Sequence, residues 1–225
     1  MSLVSIDQSK CIQCGECVTA CLGCITEREG KIIAEADEKN CFLCGHCIAV
    51  CPVGAITHKT LNMEAFKEIS QPTTIKASDF FQFLLERRSH RSFSKEKISR
   101  EHLDLLVEAC RHSPTGSNRQ KTHLLIVQDP ARIAKLAELT IDYLRHLHRL
   151  IQKKLEKLTS AGKQDSEDYR FSVEALENCG GVLRRKDMGV EPIFFGAPAL
   201  MIFHSDSKRL GTPKDDCVIA AHTVT

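Results

Sequence analysis

The sequence predicts an α+β chain made of two unlike parts. Three observations carry that expectation: a duplicated cysteine run inside the first 60 residues, a Pro/Thr-rich stretch after it, and then helical periodicities interrupted by two short apolar runs of strand type. At 225 residues the chain has room for a small module and a larger domain.

The cysteines come first. Twelve are present and nine lie within the first 51 residues. One run reads Cys11-Ile-Gln-Cys14-Gly-Glu-Cys17-Val-Thr-Ala-Cys21, and another reads Cys41-Phe-Leu-Cys44-Gly-His-Cys47-Ile-Ala-Val-Cys51-Pro52. Both follow C-x2-C-x2-C-x3-C, an internal repeat of about 30 residues. Three thiolates at two-residue gaps curl the backbone around one iron–sulfur cube, and the fourth cysteine reaches the other cube, starting a short helix on the way. The spacing therefore assigns Cys11, Cys14, Cys17 and Cys51 to one [4Fe–4S] cluster, and Cys41, Cys44, Cys47 and Cys21 to a second. Gly15 and Gly45 occupy matching places where backbone passes close to inorganic sulfide. Structural zinc also uses paired C-x2-C units, but three evenly spaced cysteines with a displaced fourth, repeated twice, fit it poorly. The extra Cys24 reads as a small core residue and His46 as a solvent-facing one. Residues 5–58 resemble bacterial two-cluster ferredoxins, with Leu22 standing where the second repeat has Pro52.

Composition then sets limits. Charged residues make up 27% and hydrophobic ones 42%, ordinary for a globular protein. No stretch of about 18 apolar residues exists, so no membrane span is expected. Met1-Ser2-Leu3 has neither a basic start nor an apolar run, so no secretory signal is expected. Thiols reserved for metal point to a reducing compartment, the cytoplasm. The formal charge of +2 counts every thiol as neutral. Each cubane site adds about −2, which leaves the whole chain near −2. Residues 1–60 hold five Lys/Arg against seven Asp/Glu, so the loaded module sits near −6 by the same count. An acidic module steers toward a basic partner face, and nucleic-acid binding is a poor reading.

Residues 60–78 read as a linker: Leu61, Met63, Phe66 and Ile69 at loose helical spacing, then Gln71-Pro72-Thr73-Thr74. From Asp79 the texture changes. Phe80, Phe81, Phe83, Leu84 and Leu85 predict an apolar helix with Ser78 as its N-cap. A second helix from Ser99 carries Leu103, Leu106, Val107 and Cys110 on one side. It stops at Ser113-Pro114-Thr115-Gly116-Ser117-Asn118-Arg119-Gln120. His123 to Val127 reads as a buried strand, and Asp129-Pro130 opens a long helix over 131–158 with a basic, solvated face. A helical excursion over 166–178 ends at Gly180-Gly181, Pro198 to Phe203 is another strand, and Thr212-Pro213-Lys214-Asp215 starts a last helix.

The order Arg87-Arg88-Ser89-x-Arg91-x-Phe93, followed by Ser-Pro-Thr-Gly-Ser-Asn-Arg-Gln before a strand, resembles the FMN-dependent nitroreductase family. Gly196-Ala197-Pro198 to Phe203 and the helix at Asp215-Asp216-Cys217 agree with that family's later landmarks. The resemblance covers about 79–225 and implies a nitroreductase-like α/β domain with helices around a mixed sheet. It implies that Arg87, Arg88, Ser89 and Arg91 clamp the FMN phosphate and ribityl chain, as arginine forks suit phosphate. It implies that Pro114, Thr115, Gly116 and Asn118 line the ring from a partner subunit, hence a homodimer. The plainer readings are cations complementing a helix C-terminus and an ordinary helix-stopping turn. The family continues into a Gly-rich strand segment. With Val218, Ile219, Ala220 and Ala221 still apolar where the chain ends, an incomplete C-terminus is expected.

The organisation expected is therefore 1–59 as a two-[4Fe–4S] module, 60–78 as linker and 79–225 as the FMN-binding domain. The function expected is a flavin-dependent oxidoreductase passing electrons between iron–sulfur clusters and FMN. Its acceptor would be an electron-poor small molecule such as a nitroaromatic, quinone or enone. No G-x-G-x-x-G is present, so no separate Rossmann site for a nicotinamide is expected. The resemblance implies NAD(P)H acting directly at the flavin, and the attached module points equally to an external donor such as reduced ferredoxin. A non-catalytic ferredoxin-type electron carrier and a cluster-based redox sensor are the alternatives. No catalytic acid or base is assigned.

Overall fold

The 30-residue repeat reappears in the backbone angles. In the computed structural model of the chain, which describes residues 2–66, 74–206 and 211–225, Gln13 and Leu43 have φ of 59° and 52°, and Gly15 and Gly45 have φ of 79° and 73°. Each loop thus turns left-handed twice at matching places. Each then enters a short helix, α1 (Glu16–Ala20) and α2 (His46–Ala49), with the glycine at its N-cap. The third cysteine of each run lies inside that helix and the fourth follows its end. The expectation that the fourth cysteine starts a helix is corrected here: the left-handed glycine starts it. Cys21, extended at φ −102° and ψ 124°, ends α1 and leaves the helical path.

Strand β1 (Val4–Ile6) pairs antiparallel with the late strand β4 (Ile56–His58), and β2 (Ile25–Arg28) pairs with β3 (Lys31–Ala34). The β2–β3 turn has positive φ at both Glu29 and Gly30, the type I′ geometry that matches strand twist. Val4, Cys17, Cys24, Ile25, Ile32, Ala36, Cys47 and Ile56 form the buried core, with Cys11, Cys21, Cys41 and Cys51 packed against it. Cys24 is a core residue and His46 is exposed, both as expected.

After β4 comes a single 3-10 turn over Met63–Ala65, where Asn62 Oδ1 accepts from the Glu64 amide at 3.1 Å. The rest of the expected short helix, including Ile69, and the Gln71-Pro72-Thr73 boundary lie outside the described residues. Helix α3 runs from Ala77 to Glu86. Ser78 is inside it rather than capping it. Lys76 O already accepts from the Asp79 and Phe80 amides, so the first turn forms earlier and the Ser78 hydroxyl bonds Asp79 at 3.1 Å. None of α3's residues is buried, although five of the ten are Phe or Leu.

Helix α4 (Arg100–Arg111) is capped by Ser99, whose hydroxyl accepts from the His102 amide, and it buries Leu103. Strand β5 (His123–Val127) follows. Asp129 then caps α5 (Pro130–Ser160), accepting from the Ala131 and Arg132 amides with proline in the first turn. Ser166 caps α6 (Glu167–Asp187). Cys179 Sγ lies 3.2 Å from Leu144 O, and Lys154–Asp168 and Lys186–Glu138 close ion pairs. That register makes α5 and α6 an antiparallel hairpin, and α5 buries Ile133, Ala137 and Ile141. Gly180-Gly181 does not end α6, as the sequence predicts, but sits within it. A Cβ on Gly180 would come to 3.2 Å of Arg184 Nη1 and 3.5 Å of His148 Nε2. The first is the movable end of a side chain on α6 itself and the second an ordinary contact distance. Helix α6 thus carries the glycines despite their weak helix propensity, without a crossing that demands them. Strand β6 (Leu200–His204) pairs antiparallel with β5, and α7 (Pro213–Thr223) follows. Among the described residues this antiparallel pair is the sheet of the second region; a mixed sheet is what the resemblance implies.

The backbone divides into two compact units. One comprises Met1–Gln82, Ser113–Lys121 and Asp206–Asp216; the other comprises Phe83–His112, Thr122–Ser205 and Cys217–Thr225.

Candidate functional site

Within the first unit the eight spaced cysteines gather as two quartets. Cys11, Cys14, Cys17 and Cys51 line one hollow together with Ile6, Ile12, Ile32 and Val53. Burial, and then the charges of Cys11, Cys51 and Cys14, push the Cys17 thiol up. Burial, and then Cys21, Cys44 and Cys41, push Cys47 up to about 11. Each group of four is therefore mutually repelling when ionised. A cationic iron–sulfide core discharges such a group, which is what makes thiolate ligation favourable. A single tetrahedral ion would instead draw four ligands to about 2.3 Å of one point, and among the described residues no three His, Cys, Asp or Glu side chains converge on a single-ion site. The residues fit a cubane.

The two loops differ in cover. A Cβ on Gly45 would meet the Phe66 ring at 2.9 Å, whereas a Cβ on Gly15 would have nothing within 4 Å. Cys24, a ninth cysteine, donates toward Asn40 O at 3.1 Å, and burial followed by Cys21 and Cys41 pushes its thiol up to about 12. His58, which the sequence reading passed over, is buried against Cys41, with Nε2 at 3.5 Å from Sγ. Burial holds its imidazole below the ordinary range.

The loop after α4 belongs to this same unit. Thr115 Oγ1 accepts from the Gln120 amide at 3.0 Å, and Pro114 is exposed. The Gly116 amide donates to the buried Asp216 at 2.9 Å, and a Cβ on Gly116 would strike Thr212. Asp216, which the sequence offers only as part of the landmark Asp215-Asp216-Cys217, thus pins the loop. Ser117 and Asn118 take positive φ of 53° and 50°. Asn118 Nδ2 donates to Phe42 O at 2.9 Å and to Leu43 O at 3.0 Å, both carbonyls lying between Cys41 and Cys44.

The arginine segment belongs to the second unit. Arg87 reaches His222 Nδ1 and Thr225 Oγ1, both at 3.2 Å. Arg88 donates to Leu85 O and Arg87 O, Arg91 lies 5.5 Å from the centre of the Phe195 ring, and Ser89 is exposed. Each of these contacts is to a neutral group, so none cancels the guanidinium charge. Three such charges in five residues suit a phosphate. The adjoining loop is organised by Glu191, whose carboxylate accepts from the Ile193, Phe194 and Gly196 amides. A separate cavity of about 400 Å³, lined by Lys95, Lys97, Gln128, Ile133 and Pro198 among others, contains none of the residues assigned to the flavin.

Two thiol quartets, each with one buried cysteine, and an arginine-rich segment suit an iron–sulfur flavoprotein. Residues 84–225 match the model of the nitroreductase family, and residues 10–55 match that of a 4Fe-4S dicluster domain. The chain belongs to the nitroreductase family. Its cofactors are two [4Fe–4S] clusters and FMN. Among curated relatives it is 34% identical over 62 residues to FMN reductase [NAD(P)H] of Bacillus subtilis (strain 168), covering 28% of this chain and 25% of that protein. It is 26% identical over 93 residues to iodotyrosine deiodinase 1 of Rattus norvegicus, covering 39% and 33%. The chain thus spans a quarter to a third of the length of these relatives. Among solved structures, an FMN-dependent nitroreductase from Clostridium difficile R20291 aligns with TM-score 0.37 and 21% identity over 67% of this chain and 55% of that one. A BluB-like flavoprotein from Clostridium difficile 630 aligns with TM-score 0.38 and 15% identity over 65% and 67%. No helix among the described residues is long and apolar enough to cross a membrane.

Proposed function

We propose that this protein is a flavin-dependent, nitroreductase-like oxidoreductase in which iron–sulfur clusters and FMN exchange electrons and an electron-poor small molecule is reduced. The observation that carries this reading is the pair of hydrogen bonds from Asn118 to Phe42 O and Leu43 O. They tie the loop assigned to the flavin ring to the loop between two cysteines assigned to a cluster. When bound, FMN supplies one- and two-electron exchange and the cubanes supply one-electron transfer.

The residues divide the work. Cys11, Cys14, Cys17 and Cys51 hold one cluster; Cys41, Cys44, Cys47 and Cys21 hold the other. Arg87, Arg88, Ser89 and Arg91 bind the phosphate. Pro114, Thr115, Gly116 and Asn118 face the ring. Residues 1–59 form the cluster module, 60–78 the linker and 79–225 the flavin domain. The exposed Phe80, Phe81, Phe83 and Leu85 of α3 form an apolar surface of the kind a second copy covers, which supports a homodimer. The metal-bound thiols favour the cytoplasm. Nitroaromatics, quinones and enones are the acceptor classes, and NAD(P)H or reduced ferredoxin the donor.

Anaerobic mixing of the flavin-loaded protein with NADH, NADPH and reduced ferredoxin, each separately, tests the proposal. Bleaching of the flavin absorbance is expected with at least one donor, followed by recovery on adding a nitroaromatic or quinone. A flavin that stays oxidised with all three donors sinks the oxidoreductase reading.

A further inference from the structure

The two halves of the cysteine repeat are not treated alike. His58 closes β4, pairs with Val4 across the ladder and is 6% exposed. Its Nδ1 accepts from the Thr60 amide at 3.0 Å and from the Leu61 amide at 3.2 Å. Two donors pointing at Nδ1 require a lone pair there, so the hydrogen-bond network assigns the ring proton to Nε2. Nε2 is the atom 3.5 Å from Cys41 Sγ.

The first repeat has no copy of this device at the matching position. Thirty residues earlier stands Arg28, which is exposed and turned to Glu35 at 2.7 Å. Cys51, of the other quartet, accepts instead from the Ala55 main-chain amide at 3.2 Å. A change of side chain at residue 58 therefore acts on one quartet only.

We infer that His58 is a positioning residue for electron transfer: its Nε2–H donates to the Cys41 thiolate and raises the reduction potential of the cluster held by Cys41, Cys44, Cys47 and Cys21. This rests on the cluster assignment proposed above. A cluster gains negative charge on reduction, and a donor aimed at a ligand sulfur stabilises that charge. The tuned site is also the one whose loop accepts the Asn118 hydrogen bonds. The effect holds an electron beside the loop assigned to the flavin.

The test is a potentiometric titration of the anaerobically reconstituted chain, followed by electron paramagnetic resonance. It compares wild type, His58→Leu and His58→Gln, each with its iron content measured. Leucine should lower the reduction equilibrium constant of one cluster about tenfold, a fall of about 59 mV for a one-electron couple. The other cluster should stay in place. Glutamine, which keeps an N–H donor, should recover part of the shift. A full iron complement with both potentials unmoved, or both moved together, overturns the inference while leaving the cluster reading intact. A zinc-loaded, colourless chain overturns both. Should the leucine variant assemble poorly, pulsed resonance on a His46→Ala chain carrying ring-15N-histidine decides, since His46 lies in the same loop. Weak 15N coupling at a single cluster supports the inference, and its absence at both refutes it.

Discussion

The cysteine module and the α5–α6 hairpin reach order by opposite routes. In the module, the buried core is small and four of the nine partly buried residues packed against it are thiols that repel their neighbours when ionised. Its order depends on what the thiols bind. In the hairpin, a 31-residue helix that buries Ile133, Ala137 and Ile141 lies against a 21-residue partner, with caps at Asp129 and Ser166. Its order depends on apolar burial and hydrogen bonds already present in the chain. The lesson is that one polypeptide can place a redox centre on a metal-dependent scaffold while its helices stay independent of metal.

Removing iron should break that contrast open most widely. Chelation of the anaerobic protein should erase the cluster absorbance and lose the module's ordered amide signals, while the helical circular dichroism from α5 and α6 persists. Cys47→Ser is the milder form, with about half of the iron lost. Equal loss of both regions would mean that they do not hold themselves separately. Next comes Ile141→Ala, at 1% exposure the most enclosed aliphatic of α5. It should cost about 2–5 kcal/mol in denaturant unfolding of the helical region, with iron content unchanged. The smallest effect is expected from Ser99→Ala, which deletes the α4 cap bond to His102 at about 0.5–2 kcal/mol. A loss of iron in either of these last two variants would blur the distinction.

The same contrast explains what could be read in advance. The quartets, the repeat and the caps at Ser99 and Asp129 are local in sequence, and local spacing determines them. The loop from Ser113 to Gln120 reads as a stop because proline and glycine end a helix wherever they are packed. His58 was invisible for the opposite reason. It lies 17 residues from Cys41, in a strand whose pattern gives histidine no special meaning, and only the β1–β4 pairing brings the two together. The one available signal was a break in the repeat, His58 against Arg28. Gly180-Gly181 misled for a simpler reason: two glycines weaken a helix, yet the 21-residue α6 carries them. The grip of Asp216 on Gly116 spans 100 residues, beyond any local pattern.

The ring of Phe66 over Gly45, set against the bare Gly15, has a consequence for how this module fails in air. Oxidants and chelators arrive from solvent, and they meet an open loop at the first repeat and a lidded one at the second. Damage is therefore expected to have a sequence, with the cube assigned to Cys11, Cys14, Cys17 and Cys51 stripped first; loss of the two clusters at one rate in air would show that Phe66 gives no shelter. A protein so damaged would keep the cluster assigned to the loop that Asn118 bonds, one stepping stone where the proposed relay has two.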